Sequence, residues 1–193
     1  RHLIKRLVKN NFIVRVAVRD IESANSLRPI GDVGQIIPWP TNILDIKSVA
    51  TAIERASVVI NCVGILYETA NQTFENIHKR GAENIAQASN AFGVKKLIHV
   101  SALGADENSK SVYARTKIEG EIKTLNNFEN ATIVRPSVVF GPEDKFFNLF
   151  ASISRFSLAM PIIGSPFFPI VRFTAENGLD INLYGDGGPK FQP

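Results

Sequence analysis

Short apolar runs alternate with segments of helical spacing along the chain, and this alternation constrains the fold more than any other feature. Apolar residues recur three or four positions apart in the segments between the runs. The predicted strands are 12–18, 34–39, 57–64, 95–101 and 131–142, the last running into a loop, and the predicted helices are 1–11, 48–56, 73–93, 111–125 and 143–156. Strands that are separated by helices pair in parallel. The sequence therefore predicts an α/β protein with a parallel sheet.

The order of the elements indicates that one strand of this sheet lies outside the given sequence. Residues 1–11 have a helical stripe that includes Leu3 and Leu7, and the first strand follows it. A doubly wound sheet places its central strand, and the glycine-rich turn that binds pyrophosphate, before such a helix. We therefore expect a Rossmann-type doubly wound parallel sheet whose first strand and glycine-rich turn are missing here. We also expect the sequence to be an interior piece of a longer chain.

Length and composition suggest how the chain is divided. A chain of 193 residues with 45% hydrophobic and 21% charged residues is typical of a soluble globular protein with one sizeable core. We predict a dinucleotide-binding domain over 1–145 and the start of a C-terminal substrate or cap region over 146–193. Residues 146–173 hold seven of the 13 phenylalanines. This segment covers a pocket, meets an apolar partner, or packs as an ordinary core.

Charge and residue usage exclude several classes of function. Six basic residues stand against Asp20 alone in residues 1–20, but the stacking aromatics of a nucleic-acid binder are missing. The sequence contains no run of 18 apolar residues, so we predict no transmembrane segment. Peripheral contact with a membrane stays open. The single cysteine, Cys62, fits a reducing compartment, and we predict a cytoplasmic protein, with a peripheral place at the inner membrane as the alternative. We predict no metal site.

Tyr113 and Lys117 form the most suggestive pair in the sequence. They lie four positions apart in the predicted helix 111–125, which puts both side chains on one helical face. An ammonium group near a phenol favours the phenolate, and a tyrosine with a lowered pKa can transfer a proton. The spacing alone is common by chance, so the pair is also consistent with a solvated helix.

Five segments, taken in order, resemble the extended and atypical short-chain dehydrogenase/reductases, which include NAD-dependent epimerases and dehydratases. The segments are VRVAVRD, VVINCVG, KKLIHVS, YARTK and IVRPSVVFGP, within residues 1–145. Longer stretches over 28–36, 58–89, 95–105 and 140–156 resemble the atypical branch that includes the nucleotide-binding accessory subunit of respiratory complex I and its bacterial relatives.

This resemblance implies roles for three residues near the reacting end of a dinucleotide. Tyr113 is the implied acid/base, and Lys117 is its electrostatic partner and also binds the nicotinamide ribose. Ser101, at the end of strand 95–101, is the implied donor to a substrate oxygen or a simple strand-end residue.

The resemblance also implies a set of cofactor-binding residues. Arg19 ends a strand where the adenine ribose lies, and its guanidinium suits a 2′-phosphate, so NADP is slightly favoured over NAD. The other implied contacts are Asn42 and Ile43 at adenine, Val63 and Gly64 at a ribose, Lys117 at the nicotinamide ribose, and Pro136 and Val138 at the nicotinamide amide.

Two functions are the main alternatives on the sequence alone, and the first is the preferred interpretation; a redox-sensing regulator that reads NADP(H) without chemistry is a weaker third. One is an NAD(P)-dependent oxidoreductase or epimerase that acts on a small-molecule substrate. The other is a non-catalytic nucleotide-binding accessory or assembly subunit of NADH:ubiquinone oxidoreductase, whose partners are respiratory-complex subunits. Both require a bound dinucleotide.

Overall fold

The structure is a computed structural model that describes residues 1–70, 72–137 and 139, together with the backbone of 159–160 and 171–172. The chain divides into two compact units, Arg1–Ser137 and Val138–Pro193. The predicted domain boundary at 145 stays a prediction. The predicted helix 143–156 and most of the phenylalanine-rich segment 146–173 lie outside the described residues.

The first unit consists of helices and short strands in alternation. The strands are β1 (Val14–Val18), β2 (Ile36–Pro40), β3 (Val58–Asn61), β4 (Lys96–Val100) and β5 (Thr132–Val134), and the α-helices are α1 (His2–Lys9), α2 (Ile21–Asn25), α3 (Ile46–Ile53), α4 (Gly81–Ala91) and α5 (Val112–Asn127). A 3-10 turn spans Arg28–Ile30, and a π-helical turn spans Glu75–Arg80 directly before α4. In the second unit, β6 (Ala159–Met160) pairs antiparallel with β7 (Val171–Arg172).

The strands of the first unit form two parallel sheets, as the alternation predicts. β1 pairs with β2 in register Val14 to Ile36. β4 lies between β3 and β5, with Val58 opposite Lys96 and Ile98 opposite Thr132. Among the described residues, no pairing joins β1 to β3. The α/β class with parallel strands is confirmed, and the carboxyl ends of the strands are where a doubly wound fold binds its ligands.

Helix ends in this unit follow local side-chain chemistry. Asp45 caps α3 by accepting a hydrogen bond from the Lys47 amide, so the helix begins before Ser48, the residue at which the sequence predicted it. Ser111 caps α5. Gly93 follows α4 at φ +61°, a conformation that glycine adopts without a steric penalty, and it ends the helix as predicted.

The core lies between sheet β3-β4-β5 and helices α3 and α4. Leu97 of β4 is fully buried, and it packs in one cluster with Val49 of α3 and Ile85 of α4. Asn84 of α4 donates a hydrogen bond to the Ile43 carbonyl at 2.9 Å, which ties α4 to the turn after β2. This core holds the strand ends in place.

Two sequence expectations differ from the structure. The predicted helix 73–93 is divided into a π-helical turn, Glu75–Arg80, and α4, which begins at Gly81. Backbone hydrogen bonds in the π-helical turn join residues i and i+5. The predicted strand 57–64 ends at Asn61, and Cys62, which a buried strand over 57–64 would place in the core, is exposed. The shorter strand leaves residues 62–64 in a loop at the carboxyl edge of the sheet.

Candidate functional site

A cleft of about 630 Å³ opens at the carboxyl ends of β1 and β2. Three of the predicted cofactor-binding residues share it, since Arg19, Asn42 and Ile43 all line its wall. The remaining lining residues are Pro40, Thr41, Leu44, Ser48, Gln72 and Ile77. The fold therefore brings together the residues that the sequence assigned to the adenine half of a dinucleotide.

Arg19 is the one cation among the described residues that line this cleft, and it is exposed. It forms no hydrogen bond or ion pair with another described residue. The neighbouring carboxylate of Asp20 is used locally, because it caps α2 by accepting a hydrogen bond from the Glu22 amide at 3.0 Å. The guanidinium donors of Arg19 are thus available to an anionic ligand.

Asn42 and Ile43 line the cleft from a tight turn after β2. The Asn42 side-chain oxygen accepts from the Leu44 amide at 3.0 Å, and the Asn42 amide donates to Ser48 Oγ at 3.0 Å. Thr41 is tied to the end of β1 by its amide, which donates to the Val18 carbonyl at 2.8 Å. Ile43 is buried and packs against Gly81, so most of its side chain belongs to the core. These bonds fix the backbone turn that carries Asn42 and Ile43 at the cleft.

Val63 and Gly64 lie in the exposed loop after β3. The loop is held from beneath, since the Val63 amide donates to the Asn61 side chain at 3.0 Å. The Ile65 amide donates to His78 Nε2 at 3.1 Å. The backbone at 63–64 is therefore fixed in position with both residues open to solvent.

His78 is a site residue that the sequence reasoning missed. It lies in the π-helical turn, is buried, and contacts Thr116 of α5, with 3.1 Å between Nδ1 and Oγ1. Because the Ile65 amide can only donate, Nε2 is the acceptor and the ring proton lies on Nδ1, directed at Thr116. Burial, followed by the charge of Lys117, lowers the pKa of His78 to about 4. A neutral imidazole thus links the loop after β3 to α5, and no sequence motif marked it.

The Tyr113 ring is packed among other aromatic rings. It meets His78 edge-on, with centroids 5.2 Å apart, and Phe74 edge-on at 5.7 Å. Burial raises the pKa of Tyr113, which opposes the phenolate that the sequence reasoning expected. The Tyr113 hydroxyl makes no hydrogen bond with a described residue.

Lys117 is buried one turn further along α5, and only 5% of its surface is exposed. Its Nζ donates to the Val100 carbonyl at the end of β4, at 2.9 Å. Burial lowers the pKa of Lys117, and the carboxylate of Glu121 acts in the opposite direction. Lys117 therefore fastens α5 to the sheet.

The close approach of α5 to the π-helical turn depends on a glycine. A Cβ at Gly120 would overlap the His78 carbonyl oxygen and come within 3.2 Å of its carbon. This contact, together with the hydrogen bond from His78 to Thr116, fixes the helix that carries Tyr113 and Lys117. The part of α5 that carries Tyr113 and Lys117 is therefore held in a fixed position against the π-helical turn.

Ser101 directly follows β4 and is buried. Its amide donates to the Val134 carbonyl at 2.7 Å, and its hydroxyl has no hydrogen-bond partner among the described residues. A buried hydroxyl without a partner is uncommon and is compatible with a ligand or a water molecule. The role of Ser101 stays a prediction.

The segment after β5 is bonded to the loop after β4 and to α5. The Pro136 carbonyl accepts from the Leu103 amide at 3.0 Å, and Arg135 pairs with Glu121 of α5. Val138, the last predicted contact, lies outside the described residues. The described ranges contain no group of three metal-ligating side chains, and no helix in them is long and apolar enough to cross a membrane.

Comparisons with known proteins agree with this arrangement. Residues 1–139 match the NAD(P)H-binding family. The chain is 40% identical over 156 residues to the mitochondrial NADH dehydrogenase [ubiquinone] 1 alpha subcomplex subunit 9 of Dictyostelium discoideum, which covers 80% of this chain and 43% of that protein. It is 34% identical over 155 residues to the mitochondrial 40 kDa subunit of NADH-ubiquinone oxidoreductase of Neurospora crassa, with 80% and 41% covered. The chain thus spans less than half the length of these relatives.

A solved structure also shares the fold. The dTDP-glucose 4,6-dehydratase of Streptomyces venezuelae, in complex with NAD, superposes with a TM-score of 0.67 at 16% identity. The match covers 83% of this chain and 60% of that one. At this identity the likeness concerns the Rossmann-type fold alone.

Proposed function

Because this chain belongs to the NAD(P)H-binding family, we propose that it is the nucleotide-binding part of a non-catalytic accessory or assembly subunit of an NADH:ubiquinone oxidoreductase. The relatives at 40% and 34% identity are subunits of that enzyme, which supports the proposed assignment. The nucleotide stabilises the fold, and the partners are other subunits of the respiratory complex.

The contacts of Tyr113 and Lys117 carry the proposal that binding occurs without turnover. Lys117 donates to a backbone carbonyl, and the ring of Tyr113 packs against His78 and Phe74. A tyrosine whose pKa is raised by burial is a poor proton acceptor at neutral pH. Tyr113 therefore serves packing, and Lys117 anchors α5 to the end of β4 in addition to the proposed contact with the ribose.

The cofactor in this proposal is NADP(H) in preference to NAD(H). The free guanidinium of Arg19 suits the 2′-phosphate, and Asp20, which would favour a 2′-hydroxyl, is used as a helix cap. Asn42 and Ile43 would border the adenine, and the backbone at Val63 and Gly64 would border a ribose. Towards the nicotinamide end, the contacts would be Lys117, Pro136 and Val138.

An enzyme is the second candidate, and two observations favour it. Tyr113 and Lys117 are spaced as in the short-chain dehydrogenase/reductases, and Ser101 has a buried hydroxyl without a partner among the described residues. In that case Tyr113 would exchange a proton with a substrate oxygen, which Ser101 would hold with a hydrogen bond. Bound NAD(P) would supply hydride transfer to or from an unidentified small molecule.

The proposed location follows from the proposed partners. The relatives named above are mitochondrial. We place the protein at the periphery of the membrane that carries its respiratory complex, in contact with other subunits. A cytoplasmic enzyme is the alternative that accompanies the second candidate.

A turnover assay separates the two candidates. NADPH binding is measured first, followed by NADPH oxidation with a panel of sugars, quinones and small carbonyl compounds, in the wild type, Tyr113→Phe and Lys117→Ala. We expect binding without turnover, and co-purification of the full-length protein with respiratory subunits. Oxidation by the wild type that is lost in Tyr113→Phe would establish the enzyme instead.

A further inference from the structure

A ring of hydrogen bonds joins α5 to the exits of β4 and β5. Lys117 donates to the Val100 carbonyl at 2.9 Å, and the Ser101 amide donates to the Val134 carbonyl at 2.7 Å. Arg135, which follows Val134, binds Glu121, and Glu121 lies one turn after Lys117 on α5, so the set of bonds is closed. We call this set the exit ring; its members are Val100, Ser101, Lys117, Glu121, Val134 and Arg135.

The contact between Arg135 and Glu121 is the contact of the ring that joins two charged side chains. Arg135 Nε donates to Glu121 Oε1 at 2.9 Å, and Nη2 donates to Oε2 at 2.6 Å. Paired charge-assisted hydrogen bonds of this kind fix both the distance and the orientation of the two groups. The Glu121 side chain is 4% exposed, so its carboxylate depends on a partner inside the protein.

The other ion pairs of α5 with described residues differ from this one in the burial of the acid, because Glu121 is 4% exposed whereas the Arg135 side chain is 45% exposed. Lys79 binds Glu119 at 3.0 Å and Lys123 binds Glu83 at 3.0 Å, and all four side chains are between 27% and 40% exposed. Exposed pairs of this type contribute little to stability. Both also connect α5 to the neighbouring helical segment rather than to the end of a strand. They provide a built-in comparison for Glu121 and Arg135.

We propose that Glu121 and Arg135 are positioning residues of the nucleotide site, which hold the segment after β5 at a fixed distance from Lys117. The inference rests on the proposed function, because it assumes that a dinucleotide reaches this end of the sheet. Lys117 has three N–H donors and gives one to Val100, which leaves two for the hydroxyl groups of a ribose. Glu121 and Arg135 do not touch the ligand, and they keep Lys117 and the Pro136 backbone in one arrangement.

The two halves of the ligand separate this role from a general loss of structure. NADPH occupies both ends of the site, whereas adenosine 2′,5′-bisphosphate carries only the adenine half that suits the cleft at Arg19. In Glu121→Gln we expect the affinity for NADPH to fall about tenfold, as for one charge-assisted hydrogen bond. The affinity for adenosine 2′,5′-bisphosphate should stay the same.

Glu83→Gln is the matched control, because it neutralises the acid of another ion pair that involves α5, in which Glu83 of α4 binds Lys123. It should leave the affinity for both ligands unchanged. If Glu121→Gln fails to fold, Glu121→Gln/Arg135→Gln replaces it, since that double variant leaves no unpaired charge. Unchanged NADPH affinity in a folded Glu121 variant would overturn the proposal, as would an equal loss for both ligands.

Amide hydrogen exchange at Leu103 tests the ring without any nucleotide. The Leu103 amide donates to the Pro136 carbonyl, directly after Arg135. We expect faster exchange at Leu103 in Glu121→Gln and in Arg135→Met, an intermediate rate in Arg135→Lys, and the wild-type rate in Glu83→Gln. Unchanged exchange in Arg135→Met would overturn the proposal. If the wild type binds no NADPH, the proposed function is wrong. The exchange rate at Leu103 would still show whether the ring holds the segment after β5.

Discussion

The cleft at Arg19 and the region around Tyr113 lie at the carboxyl edges of the two sheets, yet they use their polar groups in opposite ways. In the cleft, Arg19 makes no bond with a described residue. Around Tyr113, Lys117 is tied to a carbonyl, and His78 uses both ring nitrogens within the protein. The charge of Arg19 is available to a ligand, whereas His78 and one N–H donor of Lys117 are used to hold elements of the protein together. This contrast is what favours nucleotide binding over catalysis.

Acid should damage the Tyr113 region more than any single substitution. His78 and His99 are buried, and His99 lies in β4 directly before Val100, the residue that accepts from Lys117. Burial, followed by the charge of Lys117, lowers the pKa of each histidine to about 4 from an ordinary 6.5. Between these values the unfolded chain binds more protons than the folded one, so the free energy of unfolding falls as the pH drops. Each histidine should account for about 3 kcal/mol once the pH is below 4.

Urea unfolding between pH 7 and pH 4 measures this effect. In His78→Gln the fall in unfolding free energy should be about half that of the wild type, because one titrating group has been removed. A free energy that stays constant down to pH 4 in the wild type would show that the two histidines are not held neutral.

Gly120→Ala should be the most damaging single change around Tyr113. The new Cβ would overlap the backbone carbonyl of His78, which cannot rotate away as a side chain can. We expect a loss of about 2 kcal/mol in unfolding free energy, typical of overpacking. Thermal or urea denaturation checks this.

Gly104→Ala is the control for this prediction. A Cβ at Gly104 has no neighbour within 4 Å, so the variant should be as stable as the wild type. Equal stability of Gly120→Ala and Gly104→Ala would show that α5 and the π-helical turn do not pack as closely as described.

Substitution of Asp20 should have the smallest effect of these changes, and the quantity it changes is the affinity of the cleft for NADPH. Asp20→Asn keeps the helix cap, because asparagine caps as well as aspartate, and it removes a negative charge beside Arg19. We expect unchanged stability and somewhat tighter NADPH binding. Asp20→Ala should lose about 1 kcal/mol of stability through the cap. A loss of NADPH affinity in Asp20→Asn would place the carboxylate, rather than Arg19, at the ribose.

Much of the fold was predictable because it follows from local patterns. The alternation of apolar runs and helical spacing predicted parallel strands, and Asp45 and Gly93 mark helix ends by their own chemistry. The position of Arg19 at the end of β1 placed it in the cleft. These features depend on neighbours in the sequence, or on the rule that parallel strands end at one edge.

The internal bonds around Tyr113 were not predictable, because they join distant segments. His78 contacts Ile65 and Thr116, which lie 13 and 38 positions away. The π-helical turn shifts the helical register by one residue, so α-helical spacing misplaces the face on which His78 lies. Arg135 and Glu121 likewise meet only after β5 has docked on the sheet. The sequence shows the spacing of Tyr113 and Lys117, which is typical of a catalytic pair, but not the contacts that both side chains make inside the protein.

The affinity for NADPH in Arg19→Ala and Tyr113→Phe, compared by calorimetry, tests the contrast between the two regions most directly. Arg28→Ala serves as the control, because Arg28 is exposed and does not line the cleft. We expect Arg19→Ala to lose about tenfold in affinity for NADPH and nothing for NADH, since a charge-assisted bond to the 2′-phosphate is removed. Tyr113→Phe and Arg28→Ala should bind NADPH like the wild type. Wild-type affinity in Arg19→Ala, together with a clear loss in Tyr113→Phe, would contradict the account.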